Sequence, residues 1–442
     1  MNKKMLATLI ALTMGTTSIA LANPVTDAND SAYVERTKVA DNVKAKAEAP
    51  TVKDIREIDS KLAAPVLSDK DATPEAVALY KYLRAIPATN HVIYGHQNDV
   101  HHKMFRPEGG SESDTKDVTG SIAGVVGFDA LSFVGDELRL NDCEWNMGVT
   151  YVDKMVDITK KAADDGAILT LSMHMPNFDL VAKKAKVTGS NDYQGYSTHI
   201  SEGKVVHRIL PGGDLNSTYN GYLDLVADYA NKMQAAKIPI IFRPLHEQNG
   251  YWFWWGKTHS SEKDFQKLWE YTVTYLRDTK GVHNFLYAFS PNGPFSSTDE
   301  YLDRYPGDEW VDIMGIDSYD DDQNGSFFTN MERSLGVMTA AAKEHNKLIA
   351  MTEVGVRDGG SLAVTGNKDR VWFSKVANLA AKYKVPYFMT WSNFEKLPHN
   401  FFAPYMVSKT RGHELVNEFV DFYNEPVTIF ADGIADYRAL EK

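Results

Sequence analysis

Short apolar runs alternate with longer amphipathic stretches along most of this chain. The runs are HVIYGHQ (91–97), AGVVGFDALSF (123–133), AILTLSMHMP (167–176), IPIIFRPLHE (238–247), NFLYAFSPN (284–292), VDIMGIDSY (311–319), KLIAMTEVG (347–355) and PYFMTWSN (386–393). Between them, stretches such as GYLDLVADYANKMQAAK and SEKDFQKLWEYTVTYLRDTK carry apolar residues at helical spacing. Strand–helix alternation predicts a parallel sheet. Eight such units in one domain predict a (β/α)8 TIM barrel. The rival, a doubly wound open sheet, would carry a Gly-rich phosphate turn after its first strand, and none is present.

The ends of the runs strengthen the barrel reading. They carry His96-Gln97, Asp129, His174, His246-Glu247, Ser290-Pro291-Asn292, Asp317 and Tyr319, Glu353, and Trp391 with Asn393. In a barrel, all C-terminal strand ends meet at one mouth, where active sites of this architecture lie. An open sheet would spread them along an edge.

Outside the repeat, MNKKMLATLIALTMGTTSIALANP reads as a secretory signal peptide over residues 1–22, with cleavage expected after Ala22. The protein is therefore expected to be exported, periplasmic or secreted, with no membrane association after cleavage. Residues 23–70 are rich in Ala, Asp, Lys and Glu and read as a polar spacer or arm. Residues 71–442 form the expected barrel domain. The lone Cys143 excludes an intrachain disulfide and reads as a small buried hydrophobe. A formal net charge of −12 argues against nucleic acid or an anionic membrane as partners.

Glu247 and Glu353 end the fourth and seventh runs. Strand alternation predicts that residues 241, 243, 245 and 247 share one face, and that Ile349, Met351 and Glu353 share another. With both faces inward, the carboxylates would meet across the mouth roughly 5 Å apart, the separation of a retaining glycosidase rather than the about 6.5–9.5 Å of an inverting one. Arg243, one layer deeper, would keep one Glu ionised. The other, beside the rings of residues 251–255, would have its pKa raised. FRPLHEQNGYWFWWG (242–256) then has a purpose, since sugars present flat C–H faces that aromatic rings cover. Trp252 and Trp391 are the expected sugar contacts, with Trp254 and Trp255 left to packing.

RPLHE followed by WFWWG, then YAFSPN, GIDSY, MTEVG and TWSN, together with the upstream YGHQ, LPGG and NGYLD, resemble the motifs of glycoside hydrolase family 26. Most members of that family are β-mannanases, and the resemblance runs from about residue 75 to about 425. It implies Glu247 as acid/base, Glu353 as nucleophile and Tyr319 as a hydrogen-bond donor to that nucleophile. It also implies His174 and His246 as contacts to sugar hydroxyls, Trp252 and Trp391 as the aromatic pair, and Phe289 on the leaving-group side. The implied partner is β-mannan, cut by a monomer without cofactor. Two departures bear on mode: Ser392 stands where some members carry Arg, and the segment after the third strand offers only Tyr193 and Tyr196. Internal cleavage is the preferred expectation. Release of mannobiose from chain ends, action on β-1,3-xylan or mixed-linkage β-glucan, and a non-catalytic glycan-binding barrel are the alternatives.

No metal is expected. His101-His102 lacks a metal-site spacing and reads as a solvated loop pair. DSYDDDQNG (317–325) lacks the last ligand of a calcium loop and reads as a polar loop. Asp129 could cap a helix or bind a hydroxyl.

Overall fold

Each of the eight runs becomes a strand in the computed structural model, which describes residues 31–394 and 400–441. The strands are β1 (Val92–Gln97), β2 (Val125–Asp129), β3 (Ile168–Met173), β4 (Ile240–Pro244), β5 (Phe285–Phe289), β6 (Ile313–Asp320), β7 (Leu348–Val356) and β8 (Tyr387–Thr390). Neighbours pair in parallel from β1 to β8, and β1 closes on β8 through registers such as Tyr94↔Phe388. The predicted (β/α)8 barrel is the observed one. A further short strand, Thr428–Ile429, adds to the start of β1. The signal-peptide reading, residues 1–22, lies outside the described residues.

Side-chain alternation divides the strands between two cores. Ile93, Val125, Ile168, Ile241 and Leu286 cluster with Leu79 of helix Pro74–Ala85, which closes the N-terminal end of the barrel. Tyr94, Phe128, Leu171, Phe242 and Phe388 belong to the larger cluster shared with the surrounding helices. Helix Glu262–Thr274 shows how local sequence feeds this layer. Ser261 caps it by accepting from the Asp264 amide, Glu262 and Asp264 sit in its first turn, and it buries Phe265, Leu268, Trp269, Thr272 and Val273 along one stripe.

Two expectations from composition need correcting. Residues 31–70 are not a solvated spacer. Tyr33 is buried, Val34–Glu35 pairs antiparallel with Arg411–Gly412, Ile55 is buried, and Ser68 binds the Asp312 carboxylate through both its amide and its hydroxyl. Much of the stretch is exposed, Val39, Val43, Leu62 and Val66 included, but a few positions such as Tyr33 and Ile55 dock it against the rest of the fold. Cys143 is exposed rather than buried, because its five-residue helix Asp142–Asn146 contributes no buried side chain.

Candidate active site

Strand alternation carries Ile241 and Arg243 into the barrel, but β4 ends at Pro244. Leu245 and Glu247 both adopt left-handed backbone, each with φ +53°. Leu245 therefore turns out into the helix-facing core instead of sharing the inner face, as strict alternation predicts. The Glu247 amide donates to the Ser290 carbonyl at 2.8 Å, which pins the turn to the end of β5. Left-handed backbone at residues with a Cβ is costly and persists where the surroundings enforce it, a common property of functional turns.

The expected face of β7 is corrected in the same way. Ile349 and Met351 belong to the outer cluster, while Ala350 faces the interior. Without interruption Glu353 would point outward. The register with β6 slips by one residue, from Ile316↔Met351 to Asp317↔Glu353, so Thr352 is an extra residue. This bulge resets the alternation and delivers Glu353 to the mouth. Gly315 makes room for it, since a Cβ there would lie 2.5 Å from the Thr352 hydroxyl.

Arg243, 1% exposed, joins the two ends. One terminal nitrogen donates to Asp317 Oδ2 at 2.7 Å and the other to Glu353 Oε2 at 2.8 Å. Asp317 also accepts from Ser290 and Thr352, so its second oxygen is saturated as well. The other Glu353 oxygen, Oε1, accepts the Tyr319 hydroxyl. Glu353 is thus held at both oxygens, by a cation and by a phenol.

Glu247 sits differently. It accepts from Trp252 Nε1 at 2.7 Å and from Asn292 Nδ2 at 3.1 Å, with no cation bonded to it among the described residues. Burial, and next the charge of Glu353, push its carboxyl up to about 7, while the two hydrogen bonds and Arg243 act the other way. The two carboxyls at one mouth therefore sit in unlike surroundings, one bonded to a cation and a phenol and the other to two neutral N–H donors.

A ring cluster lies beside them. His174 and His246 meet edge to face at 4.5 Å, and His174 lies 5.8 Å from Trp391. Of its two readings, Asp129 takes the helix cap near this cluster, and it also holds a histidine ring. It accepts from the Leu131 amide, starting a helical turn, and from His174 Nδ1 at 2.8 Å. Burial opposes charging the His174 ring, but Asp129, Glu137 and Glu353 outweigh it and raise the imidazole pKa. His246 is pushed the other way by burial, by His174 and by Arg243, and its Nδ1 has no partner among the described residues.

The aromatic run divides as its positions suggest. Phe253, Trp254 and Trp255 are buried, with Trp254 bonded to the Pro176 carbonyl and Trp255 to that of His246. Tyr251 is 69% exposed and Trp252 is half-buried against Glu247. Phe289 does not reach the site. It is fully buried, edge-on to Trp269, Tyr301 and Tyr305, because its place in β5 puts it with Phe285 and Tyr287 on the helix-facing side. His102 is not a solvated loop residue either, since it contacts the Glu137 carbonyl and the Phe394 ring. Among the described residues no cluster has the ligands to hold a metal ion.

Sequence reasoning placed Asn292 and Asp317 at the mouth but assigned neither a role, although alternation in β6 already places Asp317 with Tyr319. It missed Glu137 altogether, whose carboxyl burial pushes up to about 7, with Asp129 adding to the effect. Glu137 follows a loop with no periodic signal.

Comparison with known proteins agrees with this geometry. The glycosyl hydrolase family 26 model matches residues 68–402. A mannan endo-1,4-beta-mannosidase from Bifidobacterium adolescentis is 36% identical over 353 residues, which is 76% of this chain but only 33% of that relative. The chain thus spans about a third of that protein. A mannan endo-1,4-beta-mannosidase from Bacillus subtilis is 26% identical over 76% of this chain and 84% of its own length. Among solved structures, the catalytic domain of a GH26 endo-beta-1,4-mannanase from Bacillus sp. JAMB-750 superposes with TM-score 0.75 at 33% identity, covering 85% of this chain and 96% of that one. The resemblance of the motifs is thereby borne out, and the chain belongs to glycosyl hydrolase family 26.

Proposed function

We propose that this protein is an exported, retaining, endo-acting β-1,4-mannanase. The observation that carries the reading is the split environment of one carboxyl pair. Glu353 is clamped by Arg243 and Tyr319, whereas Glu247 accepts from the neutral donors Trp252 and Asn292 and is pushed up to about 7. A glycan-binding barrel would use the rings but has no need of a matched acid and nucleophile. The names of the two relatives and of the structural neighbour support mannan as the substrate.

In this reading Glu353 attacks the anomeric carbon and forms a glycosyl ester while Glu247 protonates the departing oxygen. Glu247, now ionised, takes a proton from water, and that water hydrolyses the ester. Tyr319 and Arg243 orient the attacking oxygens. Trp252 and Trp391 cover sugar faces, and His174 and His246 bind hydroxyls. The axial 2-hydroxyl separates mannose from glucose, and a site built to bond one hydroxyl rejects the analogue that misplaces it. Among the described residues no helix is long and apolar enough to cross a membrane. Residues 1–22 are the export signal in this reading.

Viscometry with reducing-sugar release tests mode and substrate together. Galactomannan viscosity is expected to collapse at low reducing-sugar yield, with cellulose scarcely cut. Mannobiose accumulating at nearly constant viscosity would replace internal cleavage by chain-end cleavage. Comparable rates on cellulose would contradict the mannan assignment.

A further inference from the structure

Beside the carboxyl pair lies a cavity of about 270 Å3, walled by the segments that follow β5, β6 and β7. At ~30 Å3 per water this is space for about nine waters, the room that one pyranose ring with its hydroxyls occupies. It touches the candidate centre through two residues. Asn292, on its lining, donates to Glu247, and Tyr319, also on its lining, donates to Glu353. The His174, His246 and Trp391 cluster follows β3, β4 and β8 instead, so the cavity is a separate compartment that opens at the point of cleavage.

Its walls suit a neutral sugar. Phe327 and Pro294 supply apolar surface, and Ser318 and Asn330 supply a hydroxyl and an amide. The Ser318 hydroxyl has no protein partner among the described residues, and the Asn330 side chain uses only its carbonyl oxygen, toward Arg333. Arg357 lies over the Tyr319 ring, 4.7 Å from its centroid, and gives Nε to Asp321 at 2.7 Å. Its two terminal nitrogens have no protein partner among the described residues. With Asp321 and Asp322 both on the lining against one guanidinium, the compartment carries a small negative excess and disfavours acidic groups.

We propose that this cavity receives a neutral single-sugar branch carried by a mannosyl unit flanking the scissile bond, so that the protein cuts galactose-substituted mannan at substituted positions. This inference rests on the mannanase reading above. An unbranched backbone leaves the compartment to water, and a branch exchanges that water for hydroxyl contacts to Ser318, Asn330 and Arg357.

The test compares kcat/KM on linear and on galactosyl-branched manno-oligosaccharides. The wild-type protein should cut both at similar rates, with products bearing the branch next to the cut. Asn330→Trp should fill the cavity, lower kcat/KM on the branched substrate by about tenfold or more, and leave the linear one within about twofold. Should that variant fail to fold, Ser326→Trp fills the same space from the neighbouring turn and is expected to give the same split. Equal effects on both substrates, or products never branched at the cut, would overturn the proposal. A wild-type protein inactive on the linear oligosaccharide would sink the mannanase reading and this inference with it, a failure visible before any variant is made.

Discussion

Glu353→Ala is expected to lose at least about 10⁴-fold in kcat on every glycan and aryl glycoside, because among the described residues the neighbouring carboxyls are committed elsewhere, Asp317 to Arg243 and Glu247 to the acid/base role. The fold should survive. Arg243 keeps its second carboxylate, Asp317, at 2.7 Å, so the substitution does not strand a buried cation. That distinction matters, since loss of activity through misfolding would carry no mechanistic information. Circular dichroism and the unfolding midpoint separate the two. A small anion such as azide fits the space the side chain vacates and should restore turnover of an activated glycoside, giving an α-linked adduct. A loss of less than about tenfold in a folded variant would leave Glu353 a structural partner of Arg243 with no chemical role.

Glu247→Ala is expected to lose about 10²–10⁴-fold on mannan, the usual contribution of a positioned acid. On an aryl mannoside whose leaving group is already a weak base, the first step should be nearly spared, because departure no longer needs a proton. The pH profile adds a second discriminator. Burial and the neighbouring Glu353 charge raise the Glu247 carboxyl to about 7, so its acid form is present below that value and is lost as pH rises through it. Activity of the wild type on mannan should therefore fall on the alkaline side with an apparent pKa of about 7. Glu137 titrates in the same range, so the assignment needs the variant. With Glu247→Ala on the aryl substrate that limb should vanish, whereas a limb that persists would belong to Glu137 or another group.

The barrel was legible because each strand is a short apolar run and each helix a long amphipathic one, and neither signal depends on distant contacts. The chemistry at the strand ends was legible for the same reason: polar residues that follow an apolar run must surface at the mouth. Alternation served Asp317 and Tyr319, which lie within one regular strand. It failed at Leu245 and at Met351, where the backbone leaves regular geometry. Neither the left-handed turn after Pro244 nor the bulge at Thr352 has a local signature, apart from Gly315, whose missing side chain marks the close approach of the bulge. Phe289 was misplaced by resemblance against parity. Its own strand, with Phe285 and Tyr287 two and four residues earlier, already put it on the helix side. The segment 31–70 was misread because composition averages over positions, whereas docking depends on a few, such as Tyr33 and Ile55.

The central claim is double displacement through Glu353 with Glu247 as acid and base. Proton NMR of a manno-oligosaccharide digest in its first minutes, before mutarotation, tests it most directly. The β-anomer should appear first and relax toward the equilibrium mixture. An initial α-anomer would mean a single inverting displacement by water and would contradict the roles assigned to both carboxyls.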